Sequence, residues 1–206
     1  MRTAIPVKIL GTGSFAPEKI LNNEELSKMV DTNDEWITAR TGIKERHIAE
    51  EHLAASDMGV EAARAAMEAA NVTPEEIDMI IFATSSPDRV VPASAVYLQK
   101  KLGCFNAGAV DNLAACAGFA YAFSSAWAMV ANGQSKRCLV LGAEVLSRIT
   151  NYEDRGTCII FGDASGAMVL GPSDGESDVL YAKNGADGRM EHLIIVPAGG
   201  SAMMPT

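Results

Sequence analysis

Ile77-Asp78-Met79-Ile80-Ile81-Phe82-Ala83 is an apolar run of strand length with little alternation of polar residues, the composition of a strand covered on both faces of a parallel sheet. Just before it, Thr73-Pro74-Glu75-Glu76 carries a capping residue, a Pro at the first helical position and Glu at the third, and leaves room for only a short turn. Ser56 to Ala70 is rich in Ala, Met and Glu and predicts an amphipathic helix ended by Asn71. On the other side follow a predicted helix from Ala93 to Leu102, a strand from Ala107 to Val110, a long helix from Cys116 to Ala131 and a strand from Cys138 to Leu141. Strands alternating with helices in this way specify an α/β sheet.

Upstream, Val7 to Leu10 predicts a strand ending at Gly11-Thr12-Gly13. Asn22 or Asn23 ahead of Glu24 and Glu25 marks a helix start, Asp31 to Arg40 holds a second one, and Ile43 to Ile48 alternates as a half-exposed strand bearing His47. Downstream, Arg155 to Phe161 and Ala164 to Leu170 are expected as two strands joined by a hairpin at Gly162-Asp163. Asp163 is expected to hydrogen-bond the backbone of its own turn. The turn-forming stretch from Gly171 to Asp178 then sets a domain boundary, dividing residues 1–171 from 172–206. Beyond it, Val179 to Lys183 and Leu193 to Val196 are expected to open a new set of strands.

The chain has 206 residues, 48% of them hydrophobic and 21% charged, enough for a substantial core. Its formal net charge of −9 and the lack of a Lys/Arg cluster argue against nucleic acid or an anionic membrane as partner. Met1-Arg2-Thr3-Ala4-Ile5-Pro6 has no signal-peptide core, and no apolar run reaches the roughly 20 residues of a membrane helix, so a cytoplasmic home is expected. Cys104, Cys116, Cys138 and Cys158 show no C-x-x-C spacing, which offers neither a zinc site nor a disulfide framework.

Cys116 stands where a strand gives way to an Ala-rich helix, in Asp111-Asn112-Leu113-Ala114-Ala115-Cys116-Ala117-Gly118-Phe119. A thiol at a helix N-terminus faces unpaired N–H groups and the positive end of the dipole, which stabilise a thiolate, and the small neighbours leave room for a substrate. The same local pattern also suits a buried structural cysteine, the commoner fate of a lone thiol.

Several blocks taken together resemble the β-ketoacyl-acyl-carrier-protein synthase III family: Gly11-Thr12-Gly13-Ser14, Asp31-Thr32-Asn33-Asp34-Glu35-Trp36-Ile37, Arg40-Thr41-Gly42-Ile43, Glu45-Arg46-His47, Ala114-Ala115-Cys116-Ala117-Gly118-Phe119, Asp154-Arg155-Gly156-Thr157 and Phe161-Gly162-Asp163. The resemblance implies a thiolase-like fold of two βαβαβαββ halves, the first complete here and the second only begun. It implies Cys116 as the catalytic nucleophile. Trp36 and Arg155 match the pair that sandwiches the adenine of coenzyme A, Thr32, Arg40 and Gly156 match neighbouring positions of that mouth, and Val91 stands near the position that caps a partner's acyl pocket across a dimer interface. The implied reaction passes an acyl group from acetyl-coenzyme A or another short acyl-coenzyme A to the thiol, then to the carbanion left when malonyl-acyl-carrier protein loses CO2. Acyl-carrier protein, acyl-coenzyme A and a second copy in a homodimer are the implied partners, with no cofactor and no metal.

The family also needs a His and an Asn from its second half. His47, His52 and His192 match neither position, and Pro197 to Thr206 resembles a loop from the middle of the family's chain. The implied picture is an N-terminal portion that works with a C-terminal half and is incomplete alone. Two alternatives stay open: another thiolase-like condensing enzyme, such as a polyketide starter synthase or a 3-hydroxy-3-methylglutaryl-coenzyme A synthase type, and a non-catalytic acyl-coenzyme A-binding fragment.

Overall fold

In the computed structural model residues 4–203 are described, so Met1-Arg2-Thr3 and Met204-Pro205-Thr206, both read above, lie outside the described residues. The elements run β1 (Val7–Phe15), β2 (Ile20–Asn22), α1 (Asn23–Leu26), α2 (Asp34–Thr41), β3 (Glu45–His47), α3 (Ala55–Ala70), β4 (Met79–Ala83), α4 (Ser94–Leu102), β5 (Gly108–Asn112), α5 (Gly118–Ala131), β6 (Cys138–Val145), α6 (Arg155–Cys158) and β7 (Asp163–Pro172). With the β2–α1–α2–β3 insert and the four-residue α6 set aside, the order is βαβαβαββ, as expected.

The five-stranded sheet has the order β1-β7-β6-β4-β5. β4 lies parallel to both β5 and β6, and β7 lies antiparallel to β6 and β1. The apolar run that contains Met79–Ala83 is therefore a central strand, between β6 and β5. Ile80 and Phe82 on β4 join Leu139 and Leu141 on β6 in a core against α3 and α4. The alternate residues Ile81, Ala83 and Val140 join Ala122, Ala126 and Val130 of α5 in a second core on the opposite face. Burial on both faces is what the missing polar alternation encoded.

Gly11 and Gly13 belong to β1 rather than to a loop after it, and they serve packing. A Cβ at Gly11 would fall onto the backbone of Ala66 and Ala70, and one at Gly13 onto that of Ala62 and Ala66, so β1 rests directly on the spine of α3. Thr73 to Glu76 forms the expected short turn, with Thr73 N donating to Glu76 Oε2 at 2.9 Å.

Several expectations fail. Arg155 to Phe161 is not a strand: Asp154 caps α6 by accepting from Gly156 N and Thr157 Oγ1, both at 2.8 Å, and no hairpin forms at Gly162-Asp163. Buried Asp163 reaches across the fold instead, accepting from Ala49 N at 2.7 Å and from Ser147 N and Oγ at 2.9 and 2.6 Å. Val179 to Lys183 and Leu193 to Val196 form no strands, and His192 lies on no strand edge, because no neighbouring strand pairs with these residues among those described. After β7 Ser173 N extends the ladder by donating to Pro6 O at 2.8 Å, and the chain then crosses to the outer edge of β1, where Asp178 N donates to Val7 O at 2.9 Å. No helix among the described residues is long and apolar enough to cross a membrane.

Candidate active site

β1, β4, β5 and β6 all point the same way, since β7 is antiparallel to both β1 and β6 and β4 is parallel to β5 and β6. Their carboxyl ends therefore share one rim of the sheet, the rim where α/β proteins place their chemistry. The insert with Thr32, Trp36 and Arg40 leaves β1 there, the Val91 loop leaves β4, the Cys116 turn leaves β5, and the segment with Arg155 and Gly156 leaves β6.

Cys116 is exposed, and it sits in a separate 3-10 turn, Ala115–Ala117, rather than opening the long helix. Ala115 has φ of 45°, a left-handed conformation that strains a residue with a Cβ. That kink holds the thiol outside the packed interior while α5 begins two residues later. Asn112 Nδ2 donates to Gly118 O at 2.9 Å and ties the end of β5 to the start of α5 across the turn. The other three thiols are buried. Burial, helped by Glu75, pushes the Cys104 pKa up to about 11; burial, with Asp78 adding and Ser135 opposing, pushes Cys138 up to about 12; burial also raises Cys158. Only Cys116 among the four is open to a reagent.

The nucleotide-mouth candidates are brought together around one indole. Asn33 caps α2 by accepting from Trp36 N at 2.8 Å, and Trp36 and Arg40 lie one turn apart on the same face. The Arg40 guanidinium lies 4.1 Å from the centroid of the Trp36 rings and that of Arg155 lies 4.6 Å from it. Arg155 Nη1 also donates to Asp31 O at 3.1 Å. Two cations on one aromatic make a site with a flat apolar surface and surplus positive charge, suited to a base and its phosphates. A purine between Trp36 and Arg155 needs two stacking distances, about 7–8 Å in all, so Arg155 has to swing outward to admit one.

Thr32 Oγ1 is buried and has no hydrogen-bond partner among the described residues. Gly156 N is already taken by Asp154. Val91 is 78% exposed, and its loop is held from behind by Glu144, which accepts from Ser85 N at 2.7 Å and Ser86 Oγ at 2.5 Å. No histidine is hydrogen-bonded to Cys116 among the described residues.

The model of the 3-oxoacyl-acyl-carrier-protein synthase III family matches residues 110–188, a span that contains both Cys116 and Arg155. A protein named β-ketoacyl-acyl-carrier-protein synthase III from Caldanaerobacter subterraneus subsp. tengcongensis is 50% identical over 199 residues, covering 97% of this chain and 60% of the relative. Over nearly its whole length the chain is similar to the synthase III family. The chain spans about 60% of the length of the curated relatives it matches. The solved 3-oxoacyl-acyl-carrier-protein synthase III of Aquifex aeolicus VF5 superposes with a TM-score of 0.88 at 45% identity, over 91% of this chain and 60% of that one. A priming β-ketosynthase from the R1128 polyketide biosynthetic pathway superposes with a TM-score of 0.82 at 39% identity, over 85% and 53%.

Two residues that shape the site carry no mark of that role in the sequence. One is Asp31, whose carbonyl anchors Arg155. The other is Arg46, buried on β3, whose Nη1 donates to Asn23 Oδ1 at 2.6 Å and whose Nε donates to Ile159 O at 3.0 Å, with a second short bond from Nη2 to the same carbonyl. Burial draws its pKa down from the usual guanidinium value, and Cys158 and Tyr152 act the other way. The run Glu45-Arg46-His47 gives only charge; what places an arginine inward is the carbonyl of Ile159, 113 residues away along the chain.

Proposed function

We propose that this chain supplies the nucleophile and the coenzyme A mouth of a condensing enzyme that starts fatty acid synthesis. The Cys116 thiolate attacks the thioester carbonyl of acetyl-coenzyme A or another short acyl-coenzyme A; the new C–S bond forms as coenzyme A leaves with its sulfur. The Trp36, Arg40 and Arg155 cluster takes the nucleotide end of that substrate, with Thr32 and the Gly156 turn beside it. Loss of CO2 from malonyl-acyl-carrier protein leaves a carbanion that attacks the acyl-enzyme, giving 3-oxoacyl-acyl-carrier protein and returning the thiol. Stabilising that carbanion needs His and Asn donors that no motif of this chain matches, so the chain by itself stops at the acyl-enzyme and condensation requires a C-terminal half. The observation that carries the reading is the exposed, strained Cys116 turn on the same rim as the Arg-flanked indole.

Acyl-carrier protein and a second copy of the chain are the partners in this reading, no cofactor takes part, and a reducing cytoplasm suits its four free thiols. For the second copy, the outer edge of β5 bears no partner strand among the described residues; Val110 on the strand and Phe105 and Leu113 to either side of it are exposed, and Val91 stands on the neighbouring loop. A priming ketosynthase would use the same first transfer, which the polyketide neighbour supports as the second reading.

The test is intact-mass analysis after incubation with acetyl-coenzyme A near neutral pH. One acetyl group, removed by hydroxylamine and absent in Cys116→Ala, is expected, and iodoacetamide should likewise label Cys116 alone because the three buried thiols stay protonated. No acetyl adduct, or one that survives Cys116→Ala, rejects the proposal.

A further inference from the structure

We propose that Arg46 is a positioning residue for the nucleotide mouth: its buried guanidinium fixes the arm that carries Trp36 and Arg40 relative to the arm that carries Arg155. The inference rests on the coenzyme A reading of that mouth for its ligand, although the geometry behind it stands separately. α2 and α6 belong to distant parts of the chain and meet through a small core of Leu26, Ile37, Cys158 and Ile159, with Trp36 and Tyr152 packed against it. Arg46 is the polar link through that core, only 3% exposed. On one side Nε and Nη2 hold the carbonyl of Ile159, the residue that closes α6 immediately after Cys158. On the other side Nη1 holds Asn23 Oδ1; Asn23, itself 2% exposed, donates from Nδ2 to Asp34 Oδ1 at 2.7 Å and to Ile43 O at 2.8 Å. Asp34 is the first residue of α2 and also accepts from Thr38 Oγ1 and Lys44 Nζ.

The relay thus runs from the end of α6 through Arg46 and Asn23 to the start of α2. Trp36 stands two residues beyond Asp34, and Arg155 begins α6. No carboxylate pairs with Arg46 among the described residues; every acceptor it uses is a neutral oxygen. A buried charge without a counter-ion is a costly way to glue two helices, which an apolar side chain would do more cheaply. What the guanidinium adds is a rigid planar fork that reaches two acceptors on different elements at once, a geometry a lysine ammonium cannot reproduce. The spacing it fixes is the one that sets the two arginines over the Trp36 indole.

The experiment compares the parent chain, Arg46→Lys and Asp34→Ala in a Trp127→Phe background, which leaves Trp36 as the sole indole of the two tryptophans. Coenzyme A affinity is read by titration calorimetry, the packing of Trp36 by acrylamide quenching of its emission, and the integrity of the sheet rim by the rate of Cys116 alkylation. Arg46→Lys is expected to weaken coenzyme A about tenfold and Asp34→Ala about threefold, by analogy with loss of one positioned charged hydrogen bond and of an exposed one. Both should make Trp36 more open to acrylamide, with Cys116 alkylation within about twofold of the parent. A merely structural Arg46 would lower the melting temperature and leave quenching and affinity of the folded protein unchanged; that result overturns the proposal. If Arg46→Lys does not fold, Asp34→Ala, altered at the solvent end of the relay, decides by the same readouts. If the parent itself fails to bind coenzyme A, the ligand reading falls, and quenching in the variants still supports or overturns the positioning role.

Discussion

Leu139, Val140 and Leu141 on β6 are completely buried, whereas Ile194, Ile195 and Val196, an equally strand-like run, are 60–78% exposed and form no strand. The difference lies in what surrounds them. β6 has β4 on one edge, β7 on the other, α3 on one face and α5 on the other. Residues 193–196 have none of these among the described residues. Strand propensity is thus a statement about fitting a pleated, half-buried surface, and it becomes structure only where the topology supplies that surface.

The sharpest way to break this comparison is a pair of truncations. Phe82 is fully buried between β4 and α3, and Phe82→Ala is expected to cost about 3–5 kcal/mol. Ile194→Ala removes side chain already in water and should stay within about 0.5 kcal/mol of the parent. Denaturant melts of both variants check this; a large loss from Ile194→Ala would mean that the run is packed in solution after all. A smaller contrast separates two glycines on paired strands. Gly13→Ala drives a methyl into the α3 backbone at Ala62 and Ala66 and is expected to cost about 1–3 kcal/mol, while Gly166→Ala, with nothing within 4 Å of its added Cβ, should be close to neutral. Equal melts for the two would show that β1 does not rest on the backbone of α3.

These contrasts also explain which parts of the molecule could be read in the chain. The alternation from α3 to β6 was legible because each element carries its own signal: the αL residue Asn71 closing α3, the Thr73-Pro74 turn, the doubly buried β4. Residues 155–158 were misread because Thr157, Cys158, Ile159 and Ile160 look like strand, yet Asp154 two residues before Gly156 is a cap whose short-range bonds outweigh that propensity. The kink at Ala115 had no local mark, since alanine is not a residue that favours positive φ; only the packing of β5 and α5 around it imposes that backbone. At the candidate site, the identities of Cys116, Trp36, Arg40 and Arg155 followed from family resemblance, but their shared rim followed only from strand directions. Arg46 and Asp163 could not be placed at all, because each bonds residues more than a hundred positions distant.

The gentlest probe concerns the frame of α2, where a local bond and a long-range relay both act on the same turn. Asn33 Oδ1 accepts from Trp36 N at 2.8 Å, one of the otherwise orphaned amides of an eight-residue helix. Asn33→Ala should therefore cost about 1 kcal/mol, and Asn33→Asp distinctly less, because an aspartate caps as well and favours the positive end of the dipole. The check is a melt of each variant together with the acrylamide quenching of Trp36. Local capping should lower stability without opening the indole, since Ile37 remains fully buried and the Asn23–Asp34 bond still holds the first residue of the helix. If Asn33→Ala instead exposes Trp36 as much as Asp34→Ala does, the position of the indole is set by the first turn of α2 alone, and the long-range relay through Arg46 has no share in it.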